Sequence, residues 1–263
     1  MAGRTAVISG SSKGIGAGIA LELSNRGANI VLNYPNPSTE AECHAVGCQL
    51  VTPWIAVCAD LTSDDGPAEL IRRAVERFGH IDILVSNAGY VPIAPTWDST
   101  FLADFEAAAR LNVRGCLALV QAALPHLTPY TPGSEPSGAV GGSRIVLVGS
   151  AASRNPKANQ GAYAATKGAL DAILRVWALE LPPRYGCTVN LVAPGPVRTD
   201  TFLDRFNDEQ WEHVSGLLSQ ETPVEGYAAA VEDVAWAVAF LAEERSRFIN
   251  GLYMVVSGGS TMT

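Results

Sequence analysis

Lysine is scarce in this sequence: Lys13, Lys157 and Lys167 are the only three among 263 residues. Lys and Arg total 18 against 26 Asp and Glu, the formal net charge is −8, and no basic run occurs. Phosphate neutralisation needs clustered cations, so nucleic acid is excluded as a partner. The five cysteines, Cys43, Cys48, Cys58, Cys116 and Cys187, are odd in number. Cys43-His44 with Cys48 has no second pair at ligand spacing, so no metal site is expected. The amino terminus shows no cleavable export pattern, which predicts reduced thiols in a cytoplasmic protein. No apolar run approaches the ~20 residues of a bilayer-spanning helix, so no membrane partner is expected.

What is present is an apolar chain with little charge, 48% hydrophobic and 17% charged, long enough to bury a sizeable core. Apolar runs at strand length alternate with segments at helical spacing from end to end. Strands are expected at 4–9, 29–33, 54–57, 81–85, 144–148, 188–192 and 252–256. Helices are expected at Ile15–Asn25, Glu69–Phe78, Phe101–Leu127, Gly161–Leu181 and Val231–Glu243. Strands joined by crossover helices predict a single-domain α/β protein over 1–263. Its core would be a doubly wound (Rossmann) parallel sheet of about seven strands, helices on both faces. Two segments break the rhythm. Residues 128–143 hold three Pro and four Gly and read as a surface loop. Residues 198–225 carry Phe202, Phe206, Trp211, Leu217 and Leu218 after a Pro-Gly turn, and read as a lid over a substrate.

Two motifs carry chemistry. Gly10-Ser-Ser-Lys-Gly14-Ile-Gly16 falls between the first strand and the first helix. Glycine there closes the turn, and the helix amino terminus offers N–H groups to a pyrophosphate. Ser12, Lys13 and Ile15 belong to the same turn. The second motif is Tyr163-Ala-Ala-Thr-Lys167, whose ends share one helix face. Seven tyrosines and three lysines give roughly 0.08 Tyr-xxx-Lys pairs by chance, so the pairing is informative. A phenol titrates near ~10. An ammonium ~4 Å away at an effective dielectric of ~20 favours its ionised form by about 4 kcal/mol, against the opposing cost of desolvation.

Taken together, Ser9-Gly10-xxx-Gly14-Ile-Gly16, Asp60-Leu61, Asn87-Ala88-Gly89, Asn112, Ser150, Tyr163-xxx-Lys167 and Pro194-Gly195-Pro196-Val197-Arg-Thr199 resemble the short-chain dehydrogenase/reductase family over nearly the whole chain. Asn33-Tyr34-Pro-Asn-Pro-Ser and Ser257-Gly-Gly resemble the fungal NADPH-dependent hydroxynaphthalene reductases and the 3-oxoacyl carrier-protein reductases within it. The resemblance implies that Tyr163 is a general acid and that Lys167 also holds the nicotinamide ribose. Ser150 would hold the substrate oxygen, with Ser153 as a nearby rival. Asn112 would support a water leading from Lys167. Asp60, followed by Leu61, would accept from the adenine amino group, while Asn87, Ala88 and Gly89 line the adenine-ribose side. Pro194 and Gly195 lead to Val197 and Thr199 at the carboxamide. Ser86 departs from the family, which often has Asn there. The resemblance also implies a homo-oligomer, dimer or tetramer, packed through the 101–127 and 161–181 helices.

Cofactor choice follows from charge. An acid at the end of the second strand would bind a ribose 2′-hydroxyl and repel a 2′-phosphate. Asn33 and Tyr34 are not acids, and Lys13 would attract the extra phosphate, which favours NADP(H) over NAD(H). The expected reaction is reduction of a small-molecule ketone to a secondary alcohol, or the reverse, in secondary metabolism or in fatty-acid synthesis. Trp97, Tyr90, Phe202, Phe206 and Trp211 are candidates for an apolar pocket around an aromatic substrate. The alternative is a cofactor-dependent scaffold for a cyclisation or rearrangement, or a non-catalytic binding protein on the same fold.

Overall fold

Runs of β-branched and aliphatic residues build a sheet buried on both sides. In the computed structural model, which describes residues 1–128, 142–204, 207–224 and 228–262, seven parallel strands stand in the order β3-β2-β1-β4-β5-β6-β7. They are β1 Thr5–Ile8, β2 Asn29–Tyr34, β3 Trp54–Cys58, β4 Ile83–Ser86, β5 Arg144–Val148, β6 Thr188–Pro194 and β7 Tyr253–Val256. Every named pairing is parallel, from Thr5 opposite Asn29 to Pro194 opposite Val256. The strand order reverses direction between β1 and β4, and such a switch point opens a crevice at the strands' carboxyl ends.

The helices are α1 Gly14–Asn25, α2 Glu40–Gly47, α3 Gly66–Phe78, α4 Phe101–Ala108, α5 Cys116–Ala123, α6 Gly161–Glu180, α7 Pro182–Tyr185, α8 Asp200–Leu203, α9 Asp208–Glu221 and α10 Val231–Ala242. Alternation along the strands splits the core in two. Val7, Val31, Leu84 and Ile145 pack under α3, α5 and α6. Ile8, Leu32, Val85 and Val146 pack under α1, α2 and α10. Each such fully buried aliphatic contributes ~1.5–3 kcal/mol.

Three expectations change. The expected helix 101–127 is interrupted: Ala109–Gly115 forms a π-helical turn between α4 and α5, and a 3-10 turn with Pro125 ends the stretch at His126. Ile81 lies outside β4, because it pairs with Leu127 instead. Helix α2 was not expected, since only Cys43, Val46 and Gly47 are buried on it and no apolar stripe announces it. Of the expected loop at 128–143, residues 129–141 lie outside the described residues.

Candidate active site

Strand β1 runs into the glycine turn, which neighbours brace from both sides. Gly10 has φ +61° and its Cα faces Ala88, where a Cβ would lie 2.8 Å from the Ala88 Cα. The Asn33 Oδ1 accepts from Gly10 N at 3.0 Å, and its Nδ2 donates to the Ala59 carbonyl at 2.9 Å. Asn33 is buried, so its amide braces the turn from behind. Just past β4, Asn87 Nδ2 donates to the carbonyls of Ser9 and Gly10, both at 2.9 Å. A Cβ on Gly16 would stand 2.2 Å from the Gly10 carbonyl oxygen and 2.6 Å from Asn87 Nδ2. The chain therefore leaves a bare, close-packed cradle in front of the first-turn N–H groups of α1, the shape and polarity a pyrophosphate requires. Gly16→Ala is expected to lower stability by about 1–3 kcal/mol and to weaken dinucleotide binding at least ~10-fold. Thermal melting and cofactor titration check both effects.

The remaining cofactor candidates gather around this turn. Ala88 N donates to Ser9 Oγ at 3.1 Å, and Gly89 lies beside Asn112 Oδ1 and Lys167 Nζ. Thr199 packs against Gly14 and caps α8, its Oγ1 accepting from Phe202 N at 3.2 Å. Ser12 is half-buried, Lys13 is exposed, and Ile15, Pro194, Gly195 and Val197 line the adjoining cavity. At the far end, Asp60 Oδ1 accepts from Thr62 N and Thr62 Oγ1, both at 2.8 Å, while Leu61 is buried. The Tyr34 hydroxyl donates to Glu40 Oε1 at 3.2 Å. Burial first, then that carboxylate, push the Tyr34 phenol up to about 12. An acid thus stands near the end of β2 after all, delivered by α2 rather than by the strand.

Helix α6 carries Tyr163 and Lys167 on one face, with Lys167 Nζ 5.8 Å from the Tyr163 ring centroid. Nζ donates to the Val148 carbonyl at 2.8 Å, so the last residue of β5 anchors the cation. Lys167 is buried, and burial lowers its pKa to about 8, with the nearby Cys116 acting in the opposite direction. Ser150 follows β5 and caps the 3-10 turn Ala151–Ser153, its Oγ accepting from Ala152 N at 3.2 Å. The rival Ser153 is turned away: its Oγ donates to the Ser150 carbonyl at 2.9 Å and meets Tyr253 Oη at 2.8 Å. Asn112 sits in the π-helical turn. Its Oδ1 accepts from Tyr90 N at 2.7 Å, and its Nδ2 donates to the Tyr90 carbonyl at 2.9 Å and to Thr166 Oγ1 at 3.0 Å. The wide turn, a frequent mark of functional sites, presents Asn112 between the Asn87–Tyr90 loop and α6. Burial raises the pKa of the Cys116 thiol, and Ser86, which departs from the family pattern, acts on it in the opposite direction.

Ser150, Tyr163 and Lys167 face one cavity of about 460 Å³ that also touches Asn87, Gly89 and the Pro194–Val197 turn. Val91, Ile93, Phe202, Val214 and Leu218 give its lining an apolar part, with Asn155, Lys157, Gln160 and Glu221 among the polar residues. This is the size and character of a small-molecule site. Of the aromatic candidates, Phe202 lines it. Trp97 is 87% exposed, on the irregular segment before α4, and Trp211 packs edge-on against Phe202 from outside, centroids 6.0 Å apart. The Tyr90 hydroxyl meets Asp104 at 3.3 Å, outside the cavity, and Phe206 lies outside the described residues.

A family model described as enoyl-(acyl carrier protein) reductase matches residues 10–261. The short-chain dehydrogenase/reductase FrzI of a Cladobotryum species is 37% identical over 97% of this chain and 95% of its own length. The chain belongs to the short-chain dehydrogenase/reductase family. A hydroxynaphthalene reductase of Aspergillus fumigatus, arp2, is 31% identical over 95% of this chain and 90% of that protein. A short-chain dehydrogenase of Burkholderia cenocepacia J2315, solved with NADP, superposes with a TM-score of 0.83 at 33% identity and covers 98% of both chains. This short-chain dehydrogenase/reductase is therefore an oxidoreductase of CH–OH and C=O groups that uses a nicotinamide cofactor. No helix among the described residues is long and apolar enough to cross a membrane. Sequence reasoning missed part of the cavity wall: Val91, Ile93, Val214 and the Lys157–Glu221 ion pair at 2.8 Å. Lys157, the one lysine outside both motifs, was the available signal.

Proposed function

We propose that this enzyme reduces a ketone on a bulky, mostly apolar substrate to a secondary alcohol, with NADPH as cofactor, in the secondary metabolism of its source. One observation carries the reading: Ser150, Tyr163 and Lys167 converge on a single cavity that adjoins the glycine cradle. When bound, NADPH supplies the hydride. Ser150 Oγ donates to the substrate oxygen and holds the carbonyl in place. Tyr163 gives that oxygen its proton. Lys167, anchored on Val148, stabilises the phenolate left behind and holds the nicotinamide ribose. Asn112 keeps the Tyr90 backbone and α6 in register and carries the water through which the proton is replaced. Phe202, Val214 and Leu218 give the proposed lid an apolar face toward the substrate. The name of the A. fumigatus relative supports an aromatic ketone, and the apolar part of the lining suits one. The test is NADPH consumption with a panel of aromatic and polycyclic ketones. Saturable oxidation with formation of the alcohol is expected; NADPH that binds but is consumed with no ketone would refute the reading.

Preference for NADPH rests on Lys13, exposed at the start of α1, and on the NADP held by the B. cenocepacia structure. Glu40 opposes it at the Tyr34 hydroxyl, so Lys13 must supply the discrimination. Lys13→Ala is expected to raise the KM for NADPH by about 10-fold, the worth of one charge-assisted contact, while that for NADH moves less than ~2-fold. Steady-state kinetics with both cofactors decide the point.

A further inference from the structure

Ser150 is held by more than its own turn. Its carbonyl accepts from Ser153 N at 3.1 Å, from Ser153 Oγ at 2.9 Å and from Tyr253 Oη at 2.9 Å, and the two hydroxyl oxygens lie 2.8 Å apart. Two hydroxyl hydrogens cannot serve three contacts at once. Either both hydroxyls donate to the carbonyl, or one does while the other donates to that hydroxyl, and this second arrangement can reverse. Tyr253 comes from β7, two strands away from β5. The Arg154 guanidinium covers its ring, 3.8 Å from the centroid. Arg154 in turn grips Asp171 at two points, Nε to Oδ2 at 2.9 Å and Nη2 to Oδ1 at 3.0 Å. Asp171 lies on α6 four residues beyond Lys167, so Tyr163, Lys167 and Asp171 follow one helix face. The network therefore joins the turn that carries Ser150 to the helix that carries the acid.

We infer that Ser153 and Tyr253 are a redundant pair of positioning residues that set Ser150 Oγ against Tyr163, with Arg154–Asp171 fixing the distance between turn and helix. The inference rests on the reading that Ser150 holds the substrate oxygen. Redundancy follows from the geometry, because loss of either hydroxyl leaves the other free to donate to the Ser150 carbonyl. The environment keeps both ties in their working form. Burial raises the Tyr253 phenol, which stays a donor, and Arg154 holds the Asp171 carboxyl low, which stays an anion.

The experiment is a double-mutant cycle in kcat on the full enzyme with NADPH, run well below the melting temperature, with Ser150→Ala as reference. Ser153→Ala and Tyr253→Phe are each expected to lower kcat by less than ~3-fold. The double variant is expected to lose on the order of 10²-fold, the cost of displacing a substrate-holding group by about 1 Å, with NADPH affinity unchanged. Ser153→Thr with Tyr253→Phe keeps one hydroxyl donor beside the backbone N–H and should stay within ~3-fold of wild type, which a simple packing role would not predict. If the double variant does not fold, Arg154→Gln, at a partly exposed position, reads the same link and should lower kcat about 10-fold without changing NADPH affinity. Losses that merely multiply, or wild-type kcat in the double variant or in Arg154→Gln, overturn the inference. An active Ser150→Ala enzyme overturns instead the underlying role of Ser150.

Discussion

Tyr163→Phe should lower kcat by ~10³-fold or more while NADPH binds as tightly as before. The substitution removes one oxygen. It keeps the ring beside Lys167, whose Nζ lies 5.8 Å from the centroid, and leaves the Lys167–Val148 hydrogen bond in place. What disappears is the proton donor, and positioned general-acid catalysis is worth ~10²–10⁴-fold. The upper part of that range applies because Lys167 stabilises the phenolate that remains. Single-turnover rates and cofactor fluorescence separate the step from binding. Near-wild-type turnover by the Phe variant would remove Tyr163 from the chemistry and with it the proposed reaction.

Lys167→Met is the companion case, and its two effects have opposite signs. Turnover should fall by ~10³-fold, because the cation that supports Tyr163 is gone. Stability should rise at neutral pH. Burial lowers the Lys167 pKa from its ordinary 10.5 to about 8, so between those values the unfolded chain binds more protons than the folded one. Folding stability then increases with pH across that window, and below it the buried charge is a full penalty. A shift of that size amounts to about 3 kcal/mol, and losing the bond to the Val148 carbonyl takes back ~1 kcal/mol. A net gain of roughly 1–2 kcal/mol at pH 7 is therefore expected, together with loss of the stability increase between pH 8 and 10. Denaturant melts at pH 7 and pH 9.5 check it. The same titration governs activity: kcat for ketone reduction should decline as pH rises through about 8 and Lys167 discharges. A kcat flat from pH 7 to 10 would contradict the assigned role.

The order of elements was open to reading because strand and helix leave local signatures. Every strand of the sheet was anticipated within two residues at its ends, since a parallel sheet buried on both faces demands continuous apolar runs such as Ile145–Val148. The positions of the candidate catalytic residues were open to reading for a similar reason. Tyr163 and Lys167 meet through one helical repeat, and Ser150 sits where a strand stops. Roles that depend on distant partners were not. Asn33 looked like a cofactor contact, yet its amide is bound up with Gly10, Val57 and Ala59. Trp97 looked like a pocket wall and stands in solvent. The π-helical turn at Asn112 breaks no residue pattern, and the partners that hold Asn112 there, the Tyr90 backbone and Thr166, lie 22 and 54 positions away.

The chain's own order of residues settled the parallel α/β layout, the glycine turn and the pairing of a phenol with an ammonium. Each depends on spacings of a few residues that backbone geometry translates directly. Folding in three dimensions decided the rest: that α2 brings Glu40 to Tyr34, that α9 brings Glu221 to Lys157 across the cavity, and that β7 brings Tyr253 to Ser150. These are hydrogen bonds and ion pairs whose partners come together only after the two faces of the sheet are covered. No local preference of either partner encodes them.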